Sequence, residues 1–436
     1  MKNNVKRQFR TIIILLFIGL VISLFFVNAD DITILYNFGE GGAGDGATPH
    51  GSVTIYNGTM YGMTGSGGSG DHGVIFSMDI GDTSSYSILH TFAGGANDGD
   101  SPWGSLIVSD NIMYGMTNGG GDAGDGVVFS MNVTDTSSFS LLHEFDSGTD
   151  GRRPDGDLLL MGNTLYGMTS QGGDENGGII FSVSTTGTNF NTLFEFTSGS
   201  GPGDTGHRPW GSALTFVNDK FYGMTADDGP GGYGTVFSVD TDGNNFDVVH
   251  SFSSGADDGE NPHDNLIYYN GRLYGMTENG GDSGSGVIFS MNTDGTDFSL
   301  LFEFKDNVEG YEGKSPYGHV TISDDGTTLY GLTLSGGVNG DGVFFSINND
   351  GTGFSLIHEF GTGSDGSSPK GNNVVLYNNK LYGMTTSGGT YGDGIIFEYE
   401  LQGDPIPEPS TIILILLSFL GLIGKHVKKK HSSKGG

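Results

Sequence analysis

The chain of 436 residues has no cysteine, so neither a disulfide nor a thiolate metal site can form, and its stability must come from packing. Tryptophan is scarce, with Trp103 and Trp210 the only two. Positive charge is scarcer than negative: 18 Lys and Arg against 51 Asp and Glu. Four of those cations precede residue 30 and five follow residue 410, so nine remain on the body, which carries a net charge near −42. Such a surface repels nucleic acid and anionic lipid and attracts cations. Helical periodicity is also missing outside the two termini. A hydrophobic content of 35% with 11% aromatics excludes a disordered chain and requires a packed core.

The two ends read as sorting segments. Lys2, Lys6, Arg7 and Arg10 precede an apolar run from Ile12 to Val27, and Val27-Asn28-Ala29 offers the small residues a signal peptidase reads. Residues 1–29 are therefore expected to be a signal peptide cleaved after Ala29. An uncleaved anchor is the plainer alternative, since the apolar run is long. At the other end, Pro407-Glu408-Pro409 precedes an apolar stretch from Thr411 to Gly424 and the cluster Lys425, Lys428, Lys429 and Lys430. Fourteen helical residues reach about 21 Å, short of a ~30 Å hydrocarbon core. This order of elements in residues 404–436 resembles the PEP-CTERM sorting signal. The resemblance implies export by a bacterium with a Gram-negative envelope, recognition by an exosortase, and at least transient membrane anchoring before release or attachment at the surface.

What the chain has in abundance is glycine, 80 residues, much of it inside one recurring word. Tyr-Gly-(Met/Leu)-Thr begins at Tyr61, Tyr114, Tyr166, Tyr222, Tyr274, Tyr330 and Tyr382, and fifteen residues after each Tyr stands a Phe, from Phe76 to Phe397. Each 52–56-residue unit reads as four strands of five to eight residues rich in Val, Ile, Phe and Tyr and bounded by Gly, Asp or Asn. Seven such units are the sequence form of an all-β, seven-bladed β-propeller, with a β-solenoid as the rival. The ends decide. Asp31–Phe38 matches the fourth strands, whereas the seventh unit stops after its third, Gly394–Glu400. A ring uses the N-terminal strand to complete its last blade; a solenoid needs polar caps instead. The spacing thus predicts a propeller over residues 30–403. The units resemble the Gloeo/Verruco (GloVer-type) tandem repeat, on Leu-Tyr-Gly-Met-Thr, then Gly-Gly, then Gly-x-x-Phe-Ser. That resemblance implies a surface location and no established activity.

Several tempting motifs have structural readings. The Gly-rich loops supply positive φ in tight connections rather than phosphate cradles. Gly313-Lys314-Ser315 lacks the glycine a phosphate loop needs at Val308. The Asp-Gly pairs at Asp45, Asp98, Asp150, Asp258 and Asp365 are turn formers, although carboxylates on one face also offer a ring for Ca²⁺. No cofactor and no protein metal site is otherwise indicated. His90, His143, His250 and His358 share a position with Tyr36, Phe194 and Phe302, so a flat side chain for packing is expected there.

Function is expected where the copies disagree. A Pro-x-Gly motif precedes the first strand, and its x residues are His50, Trp103, Asp155, Trp210, His263, Tyr317 and Lys370. Arg152, Arg153 and Arg208 lie just upstream in the same loops. In a propeller these positions circle one mouth of the central channel, and aromatics with arginines form a candidate recognition surface. The ligand-binding candidates are His50, Trp103, Arg152, Arg153, Arg208, Trp210, His263 and Tyr317. The alternative is packing between blades.

No catalytic constellation stands out. The missing cysteine excludes a Cys–Tyr copper cofactor, two Trp are too few for a quinoprotein-type propeller, and no Gly-x-Ser-x-Gly elbow occurs. The expected function is a surface module that binds extracellular polysaccharide, envelope glycan or a partner protein. A polysaccharide hydrolase or lyase, and a passive matrix component, are the alternatives.

Overall fold

The computed structural model describes residues 32–401 apart from 43, 147, 200, 202, 306–311 and 372. The expected signal peptide, the Pro407-Glu408-Pro409 motif and the apolar segment 411–424 lie outside the described residues. Among the described residues no helix is long and apolar enough to cross a membrane.

Seven antiparallel sheets follow one another along the chain. Blade 3 shows the pattern: Leu159–Met161, Thr164–Thr169, Ile179–Ser184 and Asn191–Glu195, hydrogen-bonded in that order. Alternation along the second strand sends Tyr166 and Met168 to one face and Gly167 and Thr169 to the other. Register places Gly167 directly opposite Phe181, and the ring lies over the glycine: a Cβ there would stand 2.6 Å from Phe181 Cζ. All seven copies repeat this arrangement, from Gly62 under Phe76 to Gly383 under Phe397.

Adjacent blades share the layers so built. Tyr61, Met63 and Ile75 of blade 1 pack against Met113, Phe129 and Met131 of blade 2. Tyr274, Met276 and Ile288 of blade 5 do the same to Leu329, Phe345 and Ile347 of blade 6. The Thr of the repeated word is fully buried in every blade. In blade 3, Thr169 Oγ1 donates to the Gln171 carbonyl at 2.9 Å and accepts from the Ile179 amide at 3.2 Å, so its polar group is satisfied.

The ring closes as the split ends predict. The N-terminal strand Thr33–Asn37 pairs antiparallel with Ile395–Glu400 and completes blade 7. Phe38, with no exposed surface, packs with Met60, Phe76 and Met78 of blade 1 and with Tyr382 and Met384 of blade 7. This covers an edge that would otherwise pair with another chain.

One expectation is corrected. The first strands are two or three residues long, as in Thr321–Ile322 and Ile107–Ser109, not five to eight. The residues just before them bond to the next blade instead of to their own second strand. The Ser52 amide donates to Ser105 Oγ and the Asn373 amide to Ser52 Oγ, both at 2.9 Å. The glycine of the Pro-x-Gly motif permits that approach: a Cβ on Gly156 would lie 2.0 Å from the Ser212 carbonyl oxygen.

Candidate functional site

The Pro-x-Gly side chains form an arc of contacts. The His50 ring stacks on Trp103 with centroids 5.0 Å apart, and Trp210 meets His263 edge-on at 5.7 Å. His263 in turn stacks on Tyr317 at 4.3 Å. Lys370 Nζ lies 5.2 Å from the Tyr317 centroid and 6.0 Å from that of Trp103, within cation–π range. The arc breaks at blade 3, where the x residue is Asp155, the smallest of the set. Between Trp103 and Trp210 this leaves a cavity of about 250 Å³ that Arg153, Arg208, Asn118 and Ser170 also line. A narrower space of about 30 Å³ continues from the same tryptophans toward the ring centre, past Tyr317, Lys370 and Asp157.

Each wall has a local cause. In all seven blades the residue before the motif proline takes left-handed backbone, with φ 54° at Arg153 and 56° at Arg208. Its backbone bridges two elements: the Arg153 amide donates to the Asp125 carbonyl of blade 2 at 2.8 Å, and its carbonyl accepts from the Ser170 amide at 2.9 Å. Five copies place Thr, Ser or Asn there; only blade 3, where the gap lies, and blade 4 beside it place Arg. Both arginines are exposed. Arg208 makes one long contact, Nη1 to Asp227 Oδ2 at 3.4 Å.

Asp155 is buried at the inner end of the cavity. Ser170 Oγ donates to its Oδ2 at 2.5 Å and Asn118 Nδ2 donates to Oδ1. Burial raises its pKa to about 6, against the lowering effects of those two hydrogen bonds and the Arg153 charge. Burial, with Lys370 beside it, pushes His50 down to about 4 and keeps it neutral at physiological pH.

Two of the eight candidates line neither space. Arg152 is held by Asn176, to which its Nη2 donates at 3.2 Å. His263 is only 4% exposed and pairs through Nε2 with Glu278 at 3.0 Å. Its copy also departs from the Pro-x-Gly motif: Asp264 stands where the other six blades have glycine. That substitution marks residues the sequence reading passed over. Asp264 Oδ1 meets His319 Nδ1 at 3.1 Å, and Asp264 Oδ2 accepts from Asn373 Nδ2 of blade 7 at 3.2 Å. Asn265 Nδ2 reaches Asp157 of blade 3 at 3.5 Å. Bonds between blades that are not neighbours place this group at the centre of the ring. Burial works against a charged His319, but Asp264 and Asp157 overcome it and raise its pKa.

The other recurrent groups are structural. His90 Nε2 bonds Asp98 at 3.0 Å while its ring stacks on Phe139 of the next blade at 4.0 Å. Phe194 on Phe246 at 4.1 Å and Tyr36 on Tyr86 at 3.8 Å occupy the same place. The Asp-Gly carboxylates bind their own loops: Asp45 accepts from Tyr36 Oη and from the Gly39 and Gly41 amides. Among the described residues no group of three or more His, Asp or Glu is placed to hold a metal ion.

Likenesses to solved structures are distant. An oligogalacturonate lyase from Vibrio parahaemolyticus is 10% identical with a TM-score of 0.49, covering 86% of this chain and 92% of the other. A Mycobacterium tuberculosis puromycin-hydrolyzing peptidase is 10% identical with a TM-score of 0.48, covering 84% and 55%. A chain of a nidogen/laminin complex is 14% identical with a TM-score of 0.37, covering 59% and 82%. No curated protein matches the sequence. The Gloeobacter/Verrucomicrobia repeat model matches residues 21–205 and 200–397. With that match spanning nearly all the described residues, the chain belongs to the Gloeobacter/Verrucomicrobia repeat family.

Proposed function

We propose that this protein is an exported, surface-associated binding module for extracellular polysaccharide. One observation carries the reading: both tryptophans of the chain line one cavity of about 250 Å³, at the blade where Asp155 breaks the arc of ring contacts. Indole faces cover the C–H faces of a sugar ring, and nearby polar groups fix its orientation. The cavity is smaller than the ~300–1,000 Å³ typical of drug-sized sites, in keeping with one sugar unit of a longer chain. In this reading the signal peptide and PEP-CTERM tail deliver the ring to the surface of a bacterium with a Gram-negative envelope, through exosortase-type processing.

A glycan array on the exported protein tests it. Wild type should retain extracellular or envelope polysaccharides, and Trp103→Ala with Trp210→Ala should lose them while still melting in one cooperative transition. Equal retention by wild type and double variant would remove the proposal.

Asp155 favours a second reading, a hydrolase or lyase on the same scaffold. A carboxyl that burial raises to about 6 is suited to general acid catalysis. Release of reducing or unsaturated sugar ends by wild type but not by Asp155→Asn would establish it.

A further inference from the structure

We infer that the cavity takes a carboxylate-bearing sugar, the uronic acid unit of an acidic polysaccharide, with its carboxylate held by Arg153 and Arg208. The inference rests on the polysaccharide-binding reading and names its ligand class. Three observations lead to it.

Charge distribution is the first. The body carries only nine Lys and Arg against 51 acids, and a body of that sign repels anionic polymers. Two of the nine nonetheless line one small cavity, together with Asp155. Lys370, a third, stands over Trp103 in the adjoining space. A neutral sugar has no use for such a concentration of cations on an acidic protein.

The second is backbone cost. The position before the motif proline has positive φ in every blade. Asn and short polar residues tolerate this region best, and other side chains are uncommon in it. Five blades obey that preference with Thr48, Ser101, Asn261, Ser315 and Ser368. The two that depart carry Arg, and both of those arginines, Arg153 and Arg208, line the cavity. Local backbone energetics do not explain the choice, so the side chains must.

The third is spare hydrogen-bonding capacity. A guanidinium has five N–H donors in a fork that matches a carboxylate. Arg208 commits one of them to an exposed carboxylate at 3.4 Å. Arg153 has no ion pair among the described residues. Trp103 and Trp210 then distinguish a sugar acid from an acidic peptide, because they offer flat apolar walls for a ring.

The tryptophans also supply the reporter, since the chain's only two line the site and tryptophan emission can be excited selectively over that of the 18 tyrosines. The exported protein is titrated with tetrasaccharides of glucuronate, galacturonate and mannuronate, with their methyl esters, and with tetraglutamate. Methyl esterification removes charge and keeps the ring. At least one acidic tetrasaccharide should bind, and its ester should bind ~10-fold or more weakly, as expected for losing a charged hydrogen-bonded pair. Arg153→Gln and Arg208→Gln should each weaken the acid ~10-fold or more and leave the ester unchanged; both are exposed, so folding is retained. Esters that bind as tightly as acids would overturn the acidic ligand while leaving polysaccharide binding intact. Tetraglutamate binding as tightly as the sugars would overturn the sugar. No binding by acids or esters would overturn this inference, and the glycan array then decides the reading beneath it.

Discussion

The Phe181 ring rests on Gly167, directly across the strand pair, so close that a Cβ on the glycine would lie 2.6 Å from Cζ. The recurring word of the sequence is therefore a packing device. Its Tyr and Met fill one inter-blade layer, and its glycine seats the phenylalanine that fills the next. Gly167→Val forces that ring out of a fully buried layer and should cost ~1–3 kcal/mol, read as a lower thermal midpoint. An unchanged midpoint would assign the glycine another purpose.

Closure by the N-terminal strand makes a second prediction. Deleting residues 32–38 removes Phe38 from the junction of blades 7 and 1 and strips the ladder from Ile395–Glu400. The exposed edge should recruit a second chain. Size-exclusion chromatography should show dimers or aggregates, with loss of a single cooperative thermal transition. A monomer that melts as wild type does would show that the junction needs no fourth strand.

Asp155 ties stability to pH. Its folded pKa of about 6 exceeds the ordinary 3.8. The folded state thus holds the proton more tightly than the unfolded state. Its contribution is full below pH 3.8 and is lost as pH rises through about 6. The difference corresponds to as much as ~3 kcal/mol. Asp155→Asn should match wild type near pH 4 and exceed it in thermal midpoint at pH 7. Parallel midpoints at both pH values would show that the carboxyl is not held protonated by its surroundings.

The stacked position on the fourth strands predicts tolerance of chemistry and intolerance of size. His90→Phe reproduces the Phe194–Phe246 pair at 4.1 Å and should melt within a few degrees of wild type. His90→Ala removes the ring that covers Phe139 at 4.0 Å and should cost ~2–3 kcal/mol. If both variants melted alike, the imidazole–Asp98 bond would outweigh the stack.

Much of this was legible in one dimension because a repeat restates its own constraints. The invariant fifteen-residue offset from Tyr to Phe corresponds to the register that sets Gly167 against Phe181. The mismatch between Asp31–Phe38 and the shortened last unit is enough to imply closure. A site where His, Tyr and Phe alternate was correctly a stacking site. The first strands are shorter than their sequence pattern because the residues before them hydrogen-bond to the neighbouring blade, and a bond across a repeat boundary leaves no local pattern.

The candidate site divides the same way. Sequence alone determined a seven-bladed ring, its point of closure and the circle of variable positions at one mouth, since each follows from periodicity and from where copies differ. Only the tertiary structure decided which of those positions act together. Side-chain reach and the curvature of the ring set that outcome. They draw Trp103, Arg153, Arg208 and Trp210 around a gap left by Asp155, turn Arg152 toward Asn176, and bury His263 against Glu278. They also join Asp157 to Asn265 and Asp264 to Asn373 across the centre. Residues more than a hundred positions apart meet there because the ring closes, a distance no local pattern in the chain can encode.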